Sequence, residues 1–468
     1  MNLGQWILLW MAIAGLILIS ALIGGIIAPL PNVGQLPSPL GFTGNASNIV
    51  AATCSVSLAT PQANRNNQSN VFFAGNSSAD PRGLSQLVWA WAQFIQHDIY
   101  LYSTVSNATY NISLGLAGNM TLPQLNVTAN CTSPNGRTSL IDGSPIYSDA
   151  LDPSRLALLR TGTFGTLRQS SGGYLPIVNG TFLAGDKDVN ENPQLASLVT
   201  LFVREHNFWA RELRQLQPLW TDDQLFWKAR QYVVMEIQRI TQEEWLPILL
   251  GGYLGILPNP PPIPLVFPLN STIVSAEFAA IGSEFYRSLL NNNNTYNVTN
   301  VTSTVLTNGL ENILRSAWNQ SSLSFDVRAA SAQCNGSQAF DYVTAALTRA
   351  QELGITGNYS ALSLAFGGHP SATNNGNMSV LAQVWNEAPP PLAGSSLQLT
   401  TIQIFLEQLR RVQGNDPNWY SLPHMRGLVG TTFYPILAGT TLADVMYRNT
   451  QIQPCPGCTQ DTSVFWRN

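Results

Sequence analysis

The sequence predicts a mainly α-helical protein, one large helical domain behind an N-terminal membrane-spanning segment. Three observations carry this expectation. Trp6 to Leu30 is a nearly unbroken apolar run of 25 residues. Helical apolar spacing with capping signals recurs from Leu84 to Gln413, and neither an internal repeat nor an alternation long enough for a large sheet interrupts it. At 468 residues the chain exceeds one ordinary core, which leaves two or three domains or a single enzyme-sized helical unit.

Residues 1–31 are read as the membrane anchor. The apolar run is long enough to cross a bilayer, whereas a cleaved signal has a shorter apolar core, about 7 to 15 residues, after a basic start. The first charged side chain is Arg65, so charge bias cannot orient the segment. Cleavage would make the protein secreted. Residues 32–80, rich in Pro, Gly and Asn, read as a tether and wrapping arm. The domain proper is assigned to 81–468.

Within it, Leu84 to Tyr102 has the spacing of a buried helix, with Trp89, Trp91, Phe94 and Ile95 crowding its faces around His97. Residues 103–140 read as a loop loaded with glycan acceptors. Asn192 to Gln217 is a long helix with Pro193 near its start and Pro218 at its end. Thr221 to Trp245 is a second, opened by the Thr221-Asp222-Asp223 cap. Pro-rich stretches at 258–268 and 388–392 break the remaining helices at 275–290, 339–353 and 397–413.

Charged residues make up only 10% of the chain against 45% apolar, where an average soluble domain carries roughly 25% charged residues. A net charge of −4 and no basic cluster exclude a nucleic-acid partner. Seventeen Asn-x-Ser/Thr acceptors, from Asn45 to Asn377, concentrate in polar stretches and are absent between Gly185 and Gly255. N-glycans on them would supply the missing hydrophilic surface and place the domain on the lumenal or extracellular side. The five cysteines, Cys54, Cys131, Cys334, Cys455 and Cys458, suit an oxidising compartment, and Cys455-Pro-Gly-Cys458 reads as a short structural disulfide. The four histidines are too scattered for a zinc spacing.

Several stretches carry a family resemblance. FLAGDKDVNENPQL (Phe182 to Leu195), LFVREHN (Leu201 to Asn207) and EEWLPILLG (Glu243 to Gly251) resemble the central helices of the animal-type haem peroxidases, the myeloperoxidase and peroxidasin superfamily. WAQFIQHD (Trp91 to Asp98) resembles that family's distal helix. TSLIDGS (Thr138 to Ser144) resembles its calcium loop, and LVGTTF (Leu428 to Phe433) with Phe465-Trp466 its closing segment. The matches run in order over roughly residues 45–468 and imply a helical domain built around a buried haem.

Peroxidase chemistry needs a distal base, a distal cation and a proximal ligand to iron. The resemblance places His97 in the base's position with Gln93 one turn before it, and Glu191 at one of the family's haem-ester positions, while Gln96 stands where the other carboxylate belongs and cannot form an ester. The cation is missing, because Asp188 occupies the place of the family's Arg and Lys187 lies beside it. In EFAAIGSEFYRSLL (Glu277 to Leu290) the register puts Arg287 where the ligating His belongs, Tyr286 in place of a Gly and Glu284 in place of an Arg. A guanidinium has no free lone pair and cannot ligate iron. A Tyr286 phenolate, His369 or His424 remain as alternative axial donors.

The calcium set looks intact by the same comparison: Asp98, Thr138, Leu140 through its carbonyl, Asp142 and Ser144 offer the hard oxygen donors that Ca²⁺ prefers. The resulting expectation is a glycosylated, membrane-tethered pseudoenzyme with calcium but doubtful haem, acting as a surface or structural protein through an unknown protein partner. The alternative is a haem-dependent peroxidase with an unusual axial ligand.

Overall fold

The computed structural model describes residues 48–50, 79–113, 119–127, 132–148, 152–250, 274–275, 278–283, 285–286, 300–323, 331–334, 338–341, 345–346, 348–349, 352–353, 397, 399–453 and 463–466. Helices dominate them, as the sequence predicts. The anchor segment, most of the tether, Glu284, Arg287, His369 and cysteines 54, 131, 455 and 458 lie outside the described residues, as does the side chain of Cys334. Among the described residues, no helix is long and apolar enough to cross a membrane.

Helix α1 (Leu87–Ile99) is buried along its whole length. Apolar side chains on nearly every face leave it no solvent side, so it sits inside the domain. Its Trp91 and Phe94 rings meet Phe202 with centroids 5.7 and 5.5 Å apart, and Trp91 Nε1 donates to Thr241 Oγ1 at 3.2 Å. An antiparallel hairpin follows, β2 (Thr104–Ser113) with β3 (Asn119–Leu125), paired through Tyr110 with Leu122 and Ile112 with Met120. This corrects the reading of 103–140 as loop. Ile112, Met120, Leu122 and Leu125 are buried, but polar Asn and Thr between them weaken the period-two signal. Strands β1 (Asn48–Val50) and β4 (Thr132–Pro134) also pair antiparallel. After β4 come the short helices α2 (Ser144–Tyr147) and α3 (Pro153–Leu159), then the small hairpin β5 (Ile177–Val178) with β6 (Thr181–Phe182). Each described sheet has two strands.

The two helices at the centre begin as their caps dictate. Helix α4 (Pro193–Leu216) starts with Pro193, and Asn192 Oδ1 accepts from Leu195 N at 2.7 Å. Helix α5 (Asp222–Arg239) opens on a reciprocal cap in which Thr221 Oγ1 accepts from Gln224 N at 3.2 Å and Gln224 Oε1 from Thr221 N at 2.9 Å. The helix expected to run to Trp245 widens into a π-type turn over Ile240–Trp245 before α6 (Leu246–Leu250). Thr241 Oγ1 donates to Ile237 O at 2.7 Å, competing for that carbonyl at the point of widening.

Toward the C-terminus, α7 (Val301–Asn308) and α8 (Leu310–Asn319) pack on α4. The hairpin β7 (Ser331–Cys334) with β8 (Gln338–Asp341) takes the start of the stretch expected as helix over 339–353, a second correction. Helix α9 (Leu399–Asn415) extends two residues past the expected end at Gln413. Short helices α10 (Met425–Val429), α11 (Tyr434–Leu437) and α12 (Leu442–Asn449) close the domain. A further π-type turn, Phe278–Gly282, stands where the 275–290 helix is expected and packs on α9 through Phe278 and Phe405, 5.5 Å between centroids.

Candidate functional site

Trp89, Gln93 and His97 are spaced four residues apart on α1 and share one face. His97 is buried, and its Nδ1 lies 2.6 Å from Asp186 Oδ2. The second oxygen of Asp186 accepts from Arg137 Nη2 at 2.7 Å and from Asp188 N at 3.0 Å. Arg137 also donates through Nε to the carbonyl of His97 at 2.8 Å. On the other edge of the ring, Nε2 lies 3.4 Å from Gln93 Nε2 and 3.7 Å from Glu191 Oε2. Gln93 donates to Glu191 at 2.8 Å and accepts from Asn192 Nδ2, so helix-capping Asn192 joins the same network.

Burial alone would depress the His97 pKa, but the charge and hydrogen bond of Asp186, helped by Glu191, lift it to about 10. Burial pushes Asp186 the opposite way, and the charge and hydrogen bond of His97 with the charge of Arg137 override it, holding the carboxyl at about 2. Both shifts favour the ion-paired form, an imidazolium on a carboxylate backed by a guanidinium. Asp188 is raised by burial and by the charges of Asp186 and Glu191, while Lys187 beside it is exposed to solvent. Sequence reasoning missed Arg137 and the role of Asp186. The available signal was a single Arg beside the Thr138 loop in a chain with few charges.

Asp98, Thr138, Asp142 and Ser144, four of the five residues expected to hold calcium, are joined by hydrogen bonds. Asp98 Oδ1 accepts from Ser144 N at 2.8 Å and Ser144 Oγ at 2.6 Å, and its Oδ2 accepts from Gly143 N at 3.0 Å. Asp142 accepts from Ser144 N and Thr138 Oγ1, each at 3.1 Å, and Leu140 N approaches Thr138 Oγ1 at 3.4 Å. Burial, then the charge of Asp142, raises Asp98 well above the carboxylate range. Two buried carboxylates side by side with hydroxyl oxygens suit a hard cation that relieves their repulsion. Among the described residues no three His, Cys, Asp or Glu side chains gather as a metal site.

This loop is pressed against the distal pair. A Cβ on Gly185 would stand 2.1 Å from Ser148 N and 2.3 Å from Ser144 O, and Asp186 N donates to Pro145 O at 3.0 Å. Only glycine allows α2 to approach so closely.

The haem side gathers less well. Of the alternative axial donors, His424 is exposed at the start of α10 and His369 lies outside the described residues. Tyr286 is buried, and its ring meets Trp89 of α1 at 6.4 Å between centroids. Gln96 Nε2 bonds Tyr100 O at 3.1 Å. Along α9, Ile402, Ile404, Phe405 and Leu406 are buried together with Thr401 and Gln408, whose Oγ1 and Nε2 have no hydrogen-bond partner among the described residues.

Comparison with known proteins bears on the ancestry. Residues 57–375 match the family described as animal haem peroxidase, more than half of the chain. Mouse (Mus musculus) eosinophil peroxidase is 30% identical over 235 residues, 39% of this chain and 33% of that protein. The human (Homo sapiens) probable oxidoreductase PXDNL is 36% identical over 186 residues, 34% of this chain and 12% of that one. The chain thus matches a third or less of the length of these relatives. Among solved structures, peroxidase A from Dictyostelium discoideum superposes with a TM-score of 0.66 at 20% identity, covering 88% of this chain and 94% of that one. A fatty acid alpha-dioxygenase from Arabidopsis thaliana gives 0.62 at 16% identity, with 84% and 78% covered. Members of the matched family normally bind haem, and calcium is typical of them. The ordered motifs, the fold and the match over residues 57–375 together establish that this chain belongs to the animal haem peroxidase family.

Proposed function

We propose that this chain is a glycosylated, membrane-tethered ectodomain of peroxidase fold whose catalytic apparatus is degenerate, and that it works through its surface. One observation carries the reading. The imidazole of His97 is locked on Asp186 at 2.6 Å with Arg137 behind, and the charge of Asp186 raises its pKa and favours the protonated ring. A peroxidase base must instead accept the proton of hydrogen peroxide. Asp188, in the place of the distal cation, would repel the charge that builds as the oxygen–oxygen bond breaks.

Calcium would be held by Asp98, Thr138, Leu140, Asp142 and Ser144 and would serve the fold. The acceptors Asn107, Asn111, Asn126, Asn179, Asn300 and Asn319 are all exposed, which supports N-glycans on them and a lumenal or extracellular setting. The partner is a protein of unknown identity, not nucleic acid.

The test is an absorption spectrum of the purified chain after incubation with haem. Colourless protein without peroxide turnover is expected; a Soret band with peroxide-dependent oxidation of a donor overturns the reading. The second reading, a haem-dependent peroxidase with an unusual axial ligand, is favoured by one feature. Trp89 Nε1, both ends of the Gln194 carboxamide and Ser197 Oγ are buried without a hydrogen-bond partner, and a buried orphan of this kind costs about 1 to 3 kcal/mol unless a ligand or water meets it.

A further inference from the structure

Between α3 and β5 the chain makes a tight turn in which Gly162, Phe164 and Gly165 all adopt positive φ, 72°, 57° and 71°. Gly165 is pressed on the start of α5, where a Cβ would lie 2.5 Å from Phe226 N, and its own N–H donates to Asp222 Oδ1 at 2.6 Å. Phe164 is thereby turned outward, 46% exposed, in a backbone conformation that strains a bulky side chain.

The guanidinium of Arg214, near the end of α4, stacks on the Phe164 ring at 3.1 Å from the centroid, which places the turn beside the α4–α5 connection. That connection carries Leu216 at 36% and Leu219 at 94% exposure, with Trp220 half-buried. Together with Leu158 these are four of the nine exposed large hydrophobic side chains among the described residues. Asp222 and Asp223 share Arg160, each at 2.6 Å, which offsets one of their two charges, while Arg211 and Arg214 are exposed. No glycan acceptor occurs in residues 131–178 or 180–269, the stretches that carry this tip.

We infer that the tip formed by Phe164, Leu216 and Leu219, flanked by Arg211 and Arg214, rests on a lipid bilayer, with the apolar side chains in the acyl boundary and the guanidinium groups on headgroup phosphates. Aromatic and aliphatic side chains beside arginine are the composition that partitions to that boundary. The inference rests on the membrane-tethered reading, in which the apolar run Trp6 to Leu30 holds the domain at a membrane.

The full chain is reconstituted into phosphatidylcholine vesicles containing a minority of phosphatidylserine and a trace of photoactivatable phosphatidylcholine. After illumination, lipid adducts are mapped by mass spectrometry. Adducts are expected both in residues 1–31 and on the peptides covering 160–168 and 214–222. The triple variant Phe164→Asp, Leu216→Asp, Leu219→Asp keeps the N-terminal adducts and loses tip adducts by about tenfold, as charge at an acyl boundary requires. Leu219→Asp alone, at a position without packing, gives a smaller loss and guards against misfolding. Adducts confined to residues 1–31 overturn the tip while leaving the tether standing. Tip adducts alone support the tip and sink the tether, and adducts at neither site sink both. Cross-linking of the tip to a second copy in place of lipid also overturns the inference.

Discussion

His97 and Asp186, 89 positions apart in the chain, are joined by a 2.6 Å hydrogen bond in a site almost closed to water. Arg137 completes the arrangement from the loop that precedes the calcium set. A buried carboxylate is stable there because two cations share it, and the distal helix is fastened to the calcium loop through that carboxylate.

Replacing Arg137 with Met leaves Asp186 with one cation and frees the carbonyl of His97. Chemical denaturation should show a loss on the order of 3 kcal/mol, the range for breaking a buried ion pair. Arg137→Met combined with Asp186→Asn should be less destabilised than the two single losses added together, since the partners belong to one network. Additive losses would show that the pair is not coupled.

The calcium set predicts a metal-dependent melting temperature. Calcium at about one hundred times its dissociation constant should add about 2.7 kcal/mol to the stability of the chelated protein. Asp98→Ala should abolish the response to calcium and to chelator. A melting curve indifferent to both rules the site out.

His206 supplies an acid-side prediction. It is buried between Tyr147 Oη at 3.0 Å and Gly165 O at 2.8 Å, an arrangement in which neutral imidazole donates through Nε2 and accepts at Nδ1. Burial, opposed by the Gly165 hydrogen bond and reinforced by the charges of Arg230 and Arg160, lowers its pKa from 6.5 to about 3. The folded state refuses a proton that the unfolded chain takes up. The contribution is therefore full above pH 6.5 and is lost as pH falls toward 3, by up to roughly 4 to 5 kcal/mol. His206→Gln should flatten the acid limb of stability against pH.

Asp416 acts in the opposite sense. Burial raises its carboxyl from 3.8 to about 7, against hydrogen bonds from Asn418 N and Gln238 and with some help from the charge of Asp142. The folded state keeps a proton that the unfolded chain releases, so its contribution is full below pH 3.8 and is lost as pH rises through 7. In the intact protein the slopes of His206 and Asp416 oppose each other between pH 4 and 6.5. Asp416→Asn should make stability climb more steeply with pH across that window; an unchanged profile would put the titration elsewhere.

The helices around the site were legible because local chemistry specifies them. Thr221 with Gln224, and Asn192 with Pro193, start helices where such residues should, and the crowded apolar faces of α1 announce burial. The hairpin of β2 and β3 was not legible, since its alternation is diluted by the Asn and Thr of glycan acceptors. In the site, the cluster of Asp98, Thr138, Asp142 and Ser144 was readable from a contiguous loop and from Asp98 directly after His97. Arg137 was not, because its partners lie 40 and 49 residues away in sequence and its burial depends on the docking of that loop. The π-type turn at Ile240–Trp245 arises from a hydroxyl competing for a carbonyl, an effect that side-chain periodicity does not report.

The contact of Gly185 with the backbone of Ser144 and Ser148 has a consequence for the history of such a chain. A methyl group there would collide with main-chain atoms that cannot swing aside, so the position is policed by shape alone, whatever reaction the neighbouring pocket does or does not perform. Drift can erase an oxidant-handling pocket one side chain at a time while this close contact stays fixed, and a lineage that had abandoned its chemistry would still carry the fingerprint of the enzyme it came from.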